Sequence, residues 1–283
     1  MVPPATTSTL SRCLTVLATI VATNAALGAE PATDFQVLSP GLEYAAVPGP
    51  HPSGLGEAVM HIVRADPSKV EIVAHFSSEK GNKPVPASYW CDEKKLSVAM
   101  NLGMYMTDYR TNVGYARKGE HINSRRVNGY RSYLVFGPRK PGLPRVDILD
   151  VEDSGTKAAL ADYDVVVQNL RLVRGNGQSV WKPGTRPWPE AAVAVDAAGR
   201  VLFLFSGTPM PMADLLNRLL ALPLGILRAV HADGGPPASL SIHTPALRLD
   251  LNGSFEAGVN AVKAAWQMPL PNVLGVSAPS NAN

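Results

Sequence analysis

Short apolar runs separated by turn residues recur along this chain and limit the folds open to it. The clearest case is Ala191–Val195 and Val201–Phe205, two runs joined by Asp196-Ala197-Ala198-Gly199. Strand-favouring residues on both sides of a turn that contains Asp and Gly are typical of a β-hairpin. The pattern predicts a protein built largely from antiparallel strands.

Other runs of the same kind extend this prediction over most of the chain. They predict strands at 59–64, 70–76, 96–101, 133–136, 164–173, 226–232 and 238–242. The first two flank the turn Asp66-Pro67-Ser68 and are predicted to pair as a hairpin. Leucines at helical spacing predict one clear helix from Met212 to Leu222. Hairpins with one helix between two late strands indicate an α+β fold, a mixed and largely antiparallel curved sheet packed on a few helices.

The N-terminus has the pattern of a secretory signal peptide. Arg12 precedes an apolar run from Leu14 to Leu27, and the small residues Gly28 and Ala29 follow. The run is shorter than the roughly 20 residues that span a bilayer, so cleavage after Ala29 is favoured over an uncleaved membrane anchor. The mature protein is therefore expected to be secreted or periplasmic, with no stable membrane span.

The rest of the chain is expected to form one domain. Residues 30–54 are interpreted as an irregular lead-in with one short strand, residues 55–270 as the domain, and residues 271–283 as a flexible tail. Removal of residues 1–29 leaves Cys91 as the single cysteine, so no internal disulfide is possible. No thiol-enzyme signature surrounds Cys91, which is predicted to be buried and inert.

The charge of the chain limits the choice of partners. A formal net charge of +3 is too small to indicate nucleic-acid binding. Basic residues nevertheless concentrate between positions 110 and 145, where Glu120 is the only acid. A solvated, mobile insertion is the favoured interpretation, and a rim that attracts anionic substrates is the alternative.

One strand-end motif offers reactive chemistry. The run before Asp233-Gly234-Gly235 predicts a strand that ends in a carboxylate beside unshielded backbone. The alternative is an aspartate that caps a turn through its side chain. His231 and Asp233 lie on one face of the predicted strand and could supply half of a metal site, but the other histidines lack ligand spacing. We therefore predict no metal and no cofactor.

Four motifs in fixed order carry a resemblance to a known family. They are Asn101-Leu102-Gly103-Met104-Tyr105, Gln168-Asn169-Leu170-Arg171-Leu172-Val173, the hairpin that starts Glu190-Ala191-Ala192, and Asp233-Gly234-Gly235 after a leucine-rich helix. In this order they resemble the phosphodiester glycosidase domain family over roughly residues 55–260. A characterised member of that family removes N-acetylglucosamine from a phosphodiester on mannose, and many bacterial members are secreted proteins linked to exopolysaccharide.

The resemblance implies a function and a set of site residues. It implies a secreted hydrolase that acts on a sugar linked through a phosphodiester or on an exopolysaccharide component. Asp233 is the candidate catalytic residue. The candidate substrate-binding residues are Asn101, Gly103, Gln168, Asn169, Arg186, Gly234 and Gly235.

The chain also departs from the family pattern at the site. Glu190 stands where the family has an arginine, and it is predicted to be a surface acid beside Pro189. Pro236 and Pro237 remove two backbone N–H donors that an anionic substrate could use. A glycan-binding envelope protein without catalysis, built on the same scaffold, is therefore the alternative function.

Overall fold

The computed structural model describes residue 1 and residues 33–50, 58–184, 186–254 and 266–277. The predicted signal peptide, apart from Met1, lies outside these residues. The strands within them are β1 (Gln36–Ser39), β2 (Leu42–Pro48), β3 (Val59–Ala65), β4 (Ile72–Phe76), β5 (Leu96–Asn101), β6 (Ala116–Lys118), β7 (His121–Ser124), β8 (Ser132–Pro138), β9 (Val146–Asp150), β10 (Tyr163–Arg174), β11 (Gln178–Ser179), β12 (Trp188–Asp196), β13 (Val201–Met210), β14 (Ile226–Gly234), β15 (Ser239–His243), β16 (Arg248–Asn252) and β17 (Asn272–Ser277). The helices are α1 (Ala87–Lys94), α2 (Thr156–Ala159) and α3 (Met212–Ala221).

The strands form two sheets. The larger has twelve strands, with β1-β2-β3-β13-β12-β14-β10-β6-β7 as its main path and β8, β9 and β11 attached through β10 and β8. The smaller has five strands in the order β16-β15-β5-β17-β4. All strand pairs within the described residues are antiparallel, so the predicted antiparallel character is confirmed and the mixed sheet is not found.

The two sheets pack face to face across the main hydrophobic core. Val193 and Val230 of the larger sheet share this core with Met100 and Leu240 of the smaller one. On its outer face the larger sheet is covered by α3, and the smaller sheet is covered by α1. Burial on both faces explains why central strands such as β12 are apolar without alternation. The described part of the chain is thus α+β but mostly β, because the helices within it are few and short.

The hairpin predicted from the runs Ala191–Val195 and Val201–Phe205 is confirmed. β12 pairs with β13 in antiparallel register, from Val195 opposite Val201 onward. The buried Asp196 carboxylate accepts the backbone N–H groups of Ala198 and Arg200 at 2.9 Å each. Gly199 takes a φ of +77°, which glycine adopts without strain.

The hairpin predicted at Asp66-Pro67-Ser68 is wrong. The turn itself forms, and the Asp66 carboxylate accepts the Ser68 backbone N–H at 3.0 Å. The strands on either side, β3 and β4, enter different sheets. β3 pairs with β2 and with the distant β13, whereas β4 pairs with the distant β17. A local turn signal cannot show which sheet the next strand joins.

Both predicted ends of the domain need correction. The lead-in 30–54 contributes two strands, β1 and β2, and β2 pairs with β3. The flexible tail predicted for 271–283 is wrong for residues 272–277. These form β17, which lies between β5 and β4 in the smaller sheet. Residues 278–283 lie outside the described part of the chain.

Cys91 is buried on α1, and burial raises the pKa of its thiol, as an inert cysteine requires. No helix in the described ranges is long and apolar enough to cross a membrane.

Candidate functional site

Asp233 lies near the end of a central strand. β14 pairs with β12 on one side and with β10 on the other, and it continues through Asp233 to Gly234. The register with β12 shifts between the pairs Ala191–Asp233 and Ala192–His231. Asp233 is 7% exposed, so its carboxylate is almost entirely removed from water.

Asn101 joins this carboxylate from the other sheet, at the end of β5. Its Nδ2 donates to Asp233 Oδ2 at 3.2 Å and to the Pro237 carbonyl at 3.0 Å. Its Oδ1 accepts the Ser239 backbone N–H at 2.8 Å. Because a backbone N–H can only donate, this last bond fixes the orientation of the amide, and Asn101 must present a donor to Asp233. The structure therefore brings two of the predicted site residues into contact, with Asn101 orienting the Asp233 carboxylate.

A second buried carboxylate lies beside Asp233, and the sequence prediction for it was wrong. Glu190 is 1% exposed and is not a surface acid. Its Oε1 is 2.6 Å from His231 Nδ1, and its Oε2 accepts the Trp188 indole N–H at 2.9 Å. Glu190 lies on β12, next to the strand of Asp233, and both of its carboxylate oxygens have internal hydrogen-bond partners.

Burial is the largest influence on the pKa values of Asp233, Glu190 and His231. It raises the pKa of Asp233 to about 6, against smaller lowering effects from His231, the Gly234 N–H and Asn101. Burial also raises the pKa of Glu190 and outweighs the opposite effect of His231. For His231, burial disfavours the charged ring, but the carboxylates of Glu190 and Asp233 together outweigh it and the pKa is raised. A carboxylate that titrates near neutral pH can accept and return a proton during a reaction.

Two tyrosines lie within electrostatic range of Asp233. Burial, and then the charge of Asp233, raise the pKa of Tyr105 and of Tyr130. Both phenols therefore stay protonated and are hydrogen-bond donors at neutral pH. The Tyr105 hydroxyl is buried and has no hydrogen-bond partner in the described structure.

Gln168 shapes the loop that carries Tyr130. Its Nε2 donates to the carbonyls of Asn128 and Tyr130 at 3.0 and 2.9 Å. Its Oε1 accepts the backbone N–H groups of Asn128 and Tyr115 at 3.1 and 3.3 Å. These bonds use the amide fully, so Gln168 supports the loop rather than offering a free group to a sugar.

Asn169 and Gly103 join the two sheets next to Asn101. Asn169 Nδ2 donates to the Leu102 carbonyl at 3.0 Å. A Cβ on Gly103 would lie 2.7 Å from Asn169 Oδ1 and 2.8 Å from Asn112 Oδ1. Glycine at 103 is thus required for the close approach of two amide side chains, which is a structural reason for the motif.

Gly234 and Gly235, both predicted to bind substrate, use their backbone N–H groups for internal hydrogen bonds. The Gly234 N–H donates to Asp233 Oδ1 at 2.8 Å, and the Gly235 N–H donates to the Pro189 carbonyl at 3.0 Å. A Cβ on Gly234 would lie 2.8 Å from Trp188 Cδ1. Their role in this structure is close packing around the carboxylate.

Arg186, the remaining predicted site residue, forms no hydrogen bond or ion pair with Asp233 or Asn101 among the described residues. It is exposed and lies before β12.

The basic region 110–145 is not a mobile insertion throughout, because it contains β6, β7 and β8. Arg117 donates to three backbone carbonyls, while Arg126 is exposed and influences the pKa of Tyr130 together with Asp233. Among the described residues no group of three or more His, Cys, Asp and Glu could hold a metal ion.

The residues that sequence reasoning missed share one property. Glu190, Tyr105 and Tyr130 reach the site through strand pairing and loop packing over long sequence distances. The one local signal was an acid at the start of a continuous apolar run, Glu190-Ala191-Ala192-Val193. A charged residue that opens a fully buried strand needs a buried partner, and His231 on the neighbouring strand is that partner.

Comparison with known proteins agrees with this fold. In the structural comparison, the catalytic domain of zebrafish N-acetylglucosamine-1-phosphodiester alpha-N-acetylglucosaminidase, auto-inhibited by its pro-peptide, matches with a TM-score of 0.60 at 14% identity, over 87% of each chain. A hypothetical protein from Synechocystis matches with a TM-score of 0.56 at 14% identity, over 87% of this chain and 64% of that one. A search of curated protein sequences found no significant match. A family model for phosphodiester glycosidases matches residues 94–277, more than half of the chain, and this protein therefore belongs to the phosphodiester glycosidase family.

Proposed function

We propose that this protein hydrolyses the bond between a sugar and the phosphate of a phosphodiester, with Asp233 as the catalytic carboxylate. The observation that carries the proposal is the Asp233 carboxylate itself. It is almost fully buried, oriented by Asn101 and the Gly234 N–H, and its pKa is raised to about 6. Membership of the phosphodiester glycosidase family supports the same reaction.

The hydrogen bonds to the Asp233 carboxylate leave it able to accept a proton. Each of its oxygens accepts one internal hydrogen bond and retains a further lone pair. In the proposed reaction a water oxygen attacks the anomeric carbon as Asp233 takes the water proton. The bond from the anomeric carbon to the phosphate oxygen breaks, and its electron pair leaves with the phosphomonoester. A phosphate leaves readily without a strong general acid, so one free carboxylate suffices, although ordinary glycosidases use two.

The surroundings of Asp233 suit a transition state with positive charge on the sugar. A carboxylate in a water-poor site stabilises such charge more strongly than one in bulk solvent. Glu190 is occupied by His231 and Trp188, so it holds the neighbouring strand and does not act as a second catalytic carboxylate. Tyr105 and Tyr130 remain protonated and are the candidate donors to sugar or phosphate oxygens.

Saccharide binding without catalysis is the second candidate function. It is favoured by Pro236 and Pro237, which lack backbone N–H groups next to Asp233, and by the internal use of the Gly234 and Gly235 N–H groups. An anionic substrate then finds fewer backbone donors beside the carboxylate.

Sugar release separates the two candidates. The name of the zebrafish relative makes an N-acetylglucosamine-1-phosphodiester the first substrate to test. The wild-type protein should release the free sugar, and Asp233→Asn should reduce the rate by at least roughly a hundredfold. Asp34→Asn, the same change at an exposed position, is the matched control and should leave the rate unchanged. Saturable binding of the substrate without release by the wild-type protein would favour the non-catalytic function.

We also propose that the protein is exported and that an exopolysaccharide component is a natural substrate. The charged and apolar pattern of residues 12–29 supports export. N-terminal sequencing of the mature protein tests this proposal, and a chain that still starts at Met1 after secretion would contradict cleavage after Ala29.

A further inference from the structure

A cleft opens at the outer edge of the smaller sheet, away from the candidate catalytic group. It has a volume of about 210 Å³ and lies where β4 ends, between α1 and β6. None of its lining residues belongs to the group around Asp233, Asn101 and Glu190. It is therefore a separate feature of the surface.

Three lysines converge on this cleft from separate parts of the chain. Lys80 follows β4, Lys94 ends α1, and Lys118 ends β6. Like charges brought together from separate elements repel one another unless acids or a bound anion compensate them.

Acidic side chains compensate the charge of these three lysines only in part. Lys118 Nζ lies 3.0 Å from Glu79 Oε1, and Lys94 Nζ lies 2.5 Å from Glu93 Oε1. Lys80 is exposed and has no ion pair among the described residues. Three lysines against these two acids leave one positive charge in excess. The cleft thus retains a net attraction for anions.

The inner wall of the cleft is rigid and can form neutral hydrogen bonds. The rings of His75 and Trp90 are stacked, with 6.0 Å between their centroids and an interplanar angle of 13°. The Trp90 indole donates to the Leu270 carbonyl at 3.0 Å, which fixes the ring. Burial, and then the charge of Lys118, lower the pKa of His75 to about 4. At neutral pH the imidazole is therefore uncharged and can donate one hydrogen bond and accept another, as sugar hydroxyls require.

We propose that this cleft binds an anionic sugar unit, with the lysines holding a phosphate or carboxylate and His75 contacting the sugar ring. The cleft is smaller than the 300–1,000 Å³ pockets typical of drug-sized ligands, so it fits roughly one sugar ring. Phosphate and carboxylate share the required charge and acceptor geometry. The site would let the protein hold a charged glycan at a place other than its candidate reaction centre.

Titration with three small sugars tests the proposal. Glucose 1-phosphate and glucuronate represent the two anionic groups, and glucose is the neutral control, each followed by NMR shifts of the protein. At least one anion should bind saturably and at least roughly tenfold more tightly than glucose, and which anion binds better identifies the anionic group. Lys80→Ala combined with Lys94→Ala should weaken that binding at least tenfold.

Two further variants locate the binding. Lys157→Ala removes an exposed lysine outside the cleft and should leave the affinity unchanged. Asp233→Asn should leave the affinity read from the amide shifts of the cleft residues unchanged, whether or not the protein is a hydrolase, because Asp233 does not line the cleft. The proposal is overturned if neither anion binds by roughly 20 mM, if glucose binds equally well, or if Asp233→Asn rather than the lysine pair alters binding.

Discussion

The buried charge of Asp233 should make the protein less stable as the pH rises. The pKa of Asp233 is raised from 3.8 to about 6 by burial. Between these values the folded protein keeps a proton on Asp233 that the unfolded chain has released. The folded state thus binds more protons, and its free energy of unfolding falls as the pH rises through this window.

The size of the effect follows from the two pKa values. They are about 2.2 apart (6 − 3.8), and at 1.36 kcal/mol for each pKa unit the loss is about 3 kcal/mol. Asp233→Asn cannot ionise and should not show this loss. The same change places an amide NH₂ or a reoriented side chain opposite the Asn101 donor, at a pH-independent cost of about 1–3 kcal/mol. The variant should therefore be less stable than the wild type at pH 4 and should gain about 2.4 kcal/mol relative to it by pH 8, because the unfolded carboxyl is already more than half ionised at pH 4.

Urea denaturation at several pH values between 4 and 8 measures this difference directly. Comparing the two proteins cancels the titration of all other groups that behave alike in both. Asp34→Asn, at an exposed position, should track the wild type at each pH. A difference between Asp233→Asn and wild type that stays constant from pH 4 to pH 8 would refute the raised pKa and the argument built on it.

Three other changes test the support around the site. Glu190→Gln leaves a buried imidazole without its carboxylate and should lower the free energy of unfolding by about 3–5 kcal/mol in urea denaturation; an effect below about 1 kcal/mol would contradict the buried pair. Gly253→Ala places a Cβ 1.9 Å from the Gly235 carbonyl oxygen and should lower both the melting temperature and sugar release, so an unchanged melting temperature would count against the packing described. Gln168→Leu removes the hydrogen bonds that hold the loop of Tyr130 and should speed amide hydrogen exchange there, whereas unchanged exchange would show that the loop is held by other contacts.

Local patterns predicted most of the elements. β5, the β12–β13 hairpin and α3 are formed at or within a few residues of the predicted positions, because periodicity and turn chemistry act over a few residues. Sheet membership was not predictable in the same way. β3 and β4 are adjacent in sequence but belong to different sheets, and β17 completes the smaller sheet from the far end of the chain. These pairings depend on burial over long sequence distances.

The candidate site shows the same division. Asp233 and Asn101 were predicted from ordered motifs, and the structure places them in contact. The neighbour of Asp233 was misread, because Glu190 becomes a buried partner of His231 when β12 pairs with β14. For Arg186, a predicted substrate-binding residue, the local sequence does not fix the position, and within the described residues no hydrogen bond or ion pair links it to Asp233 or Asn101.

The pH dependence of sugar release tests the central claim most directly, because it reports the protonation state in which Asp233 works. If Asp233 accepts the proton of the attacking water, kcat/KM should rise with pH through an apparent pKa of about 6 and then level off. The residual activity of Asp233→Asn should show no such rise. A rate that falls as the pH increases through 6, or a rise that persists in Asp233→Asn, would contradict Asp233 as the catalytic base.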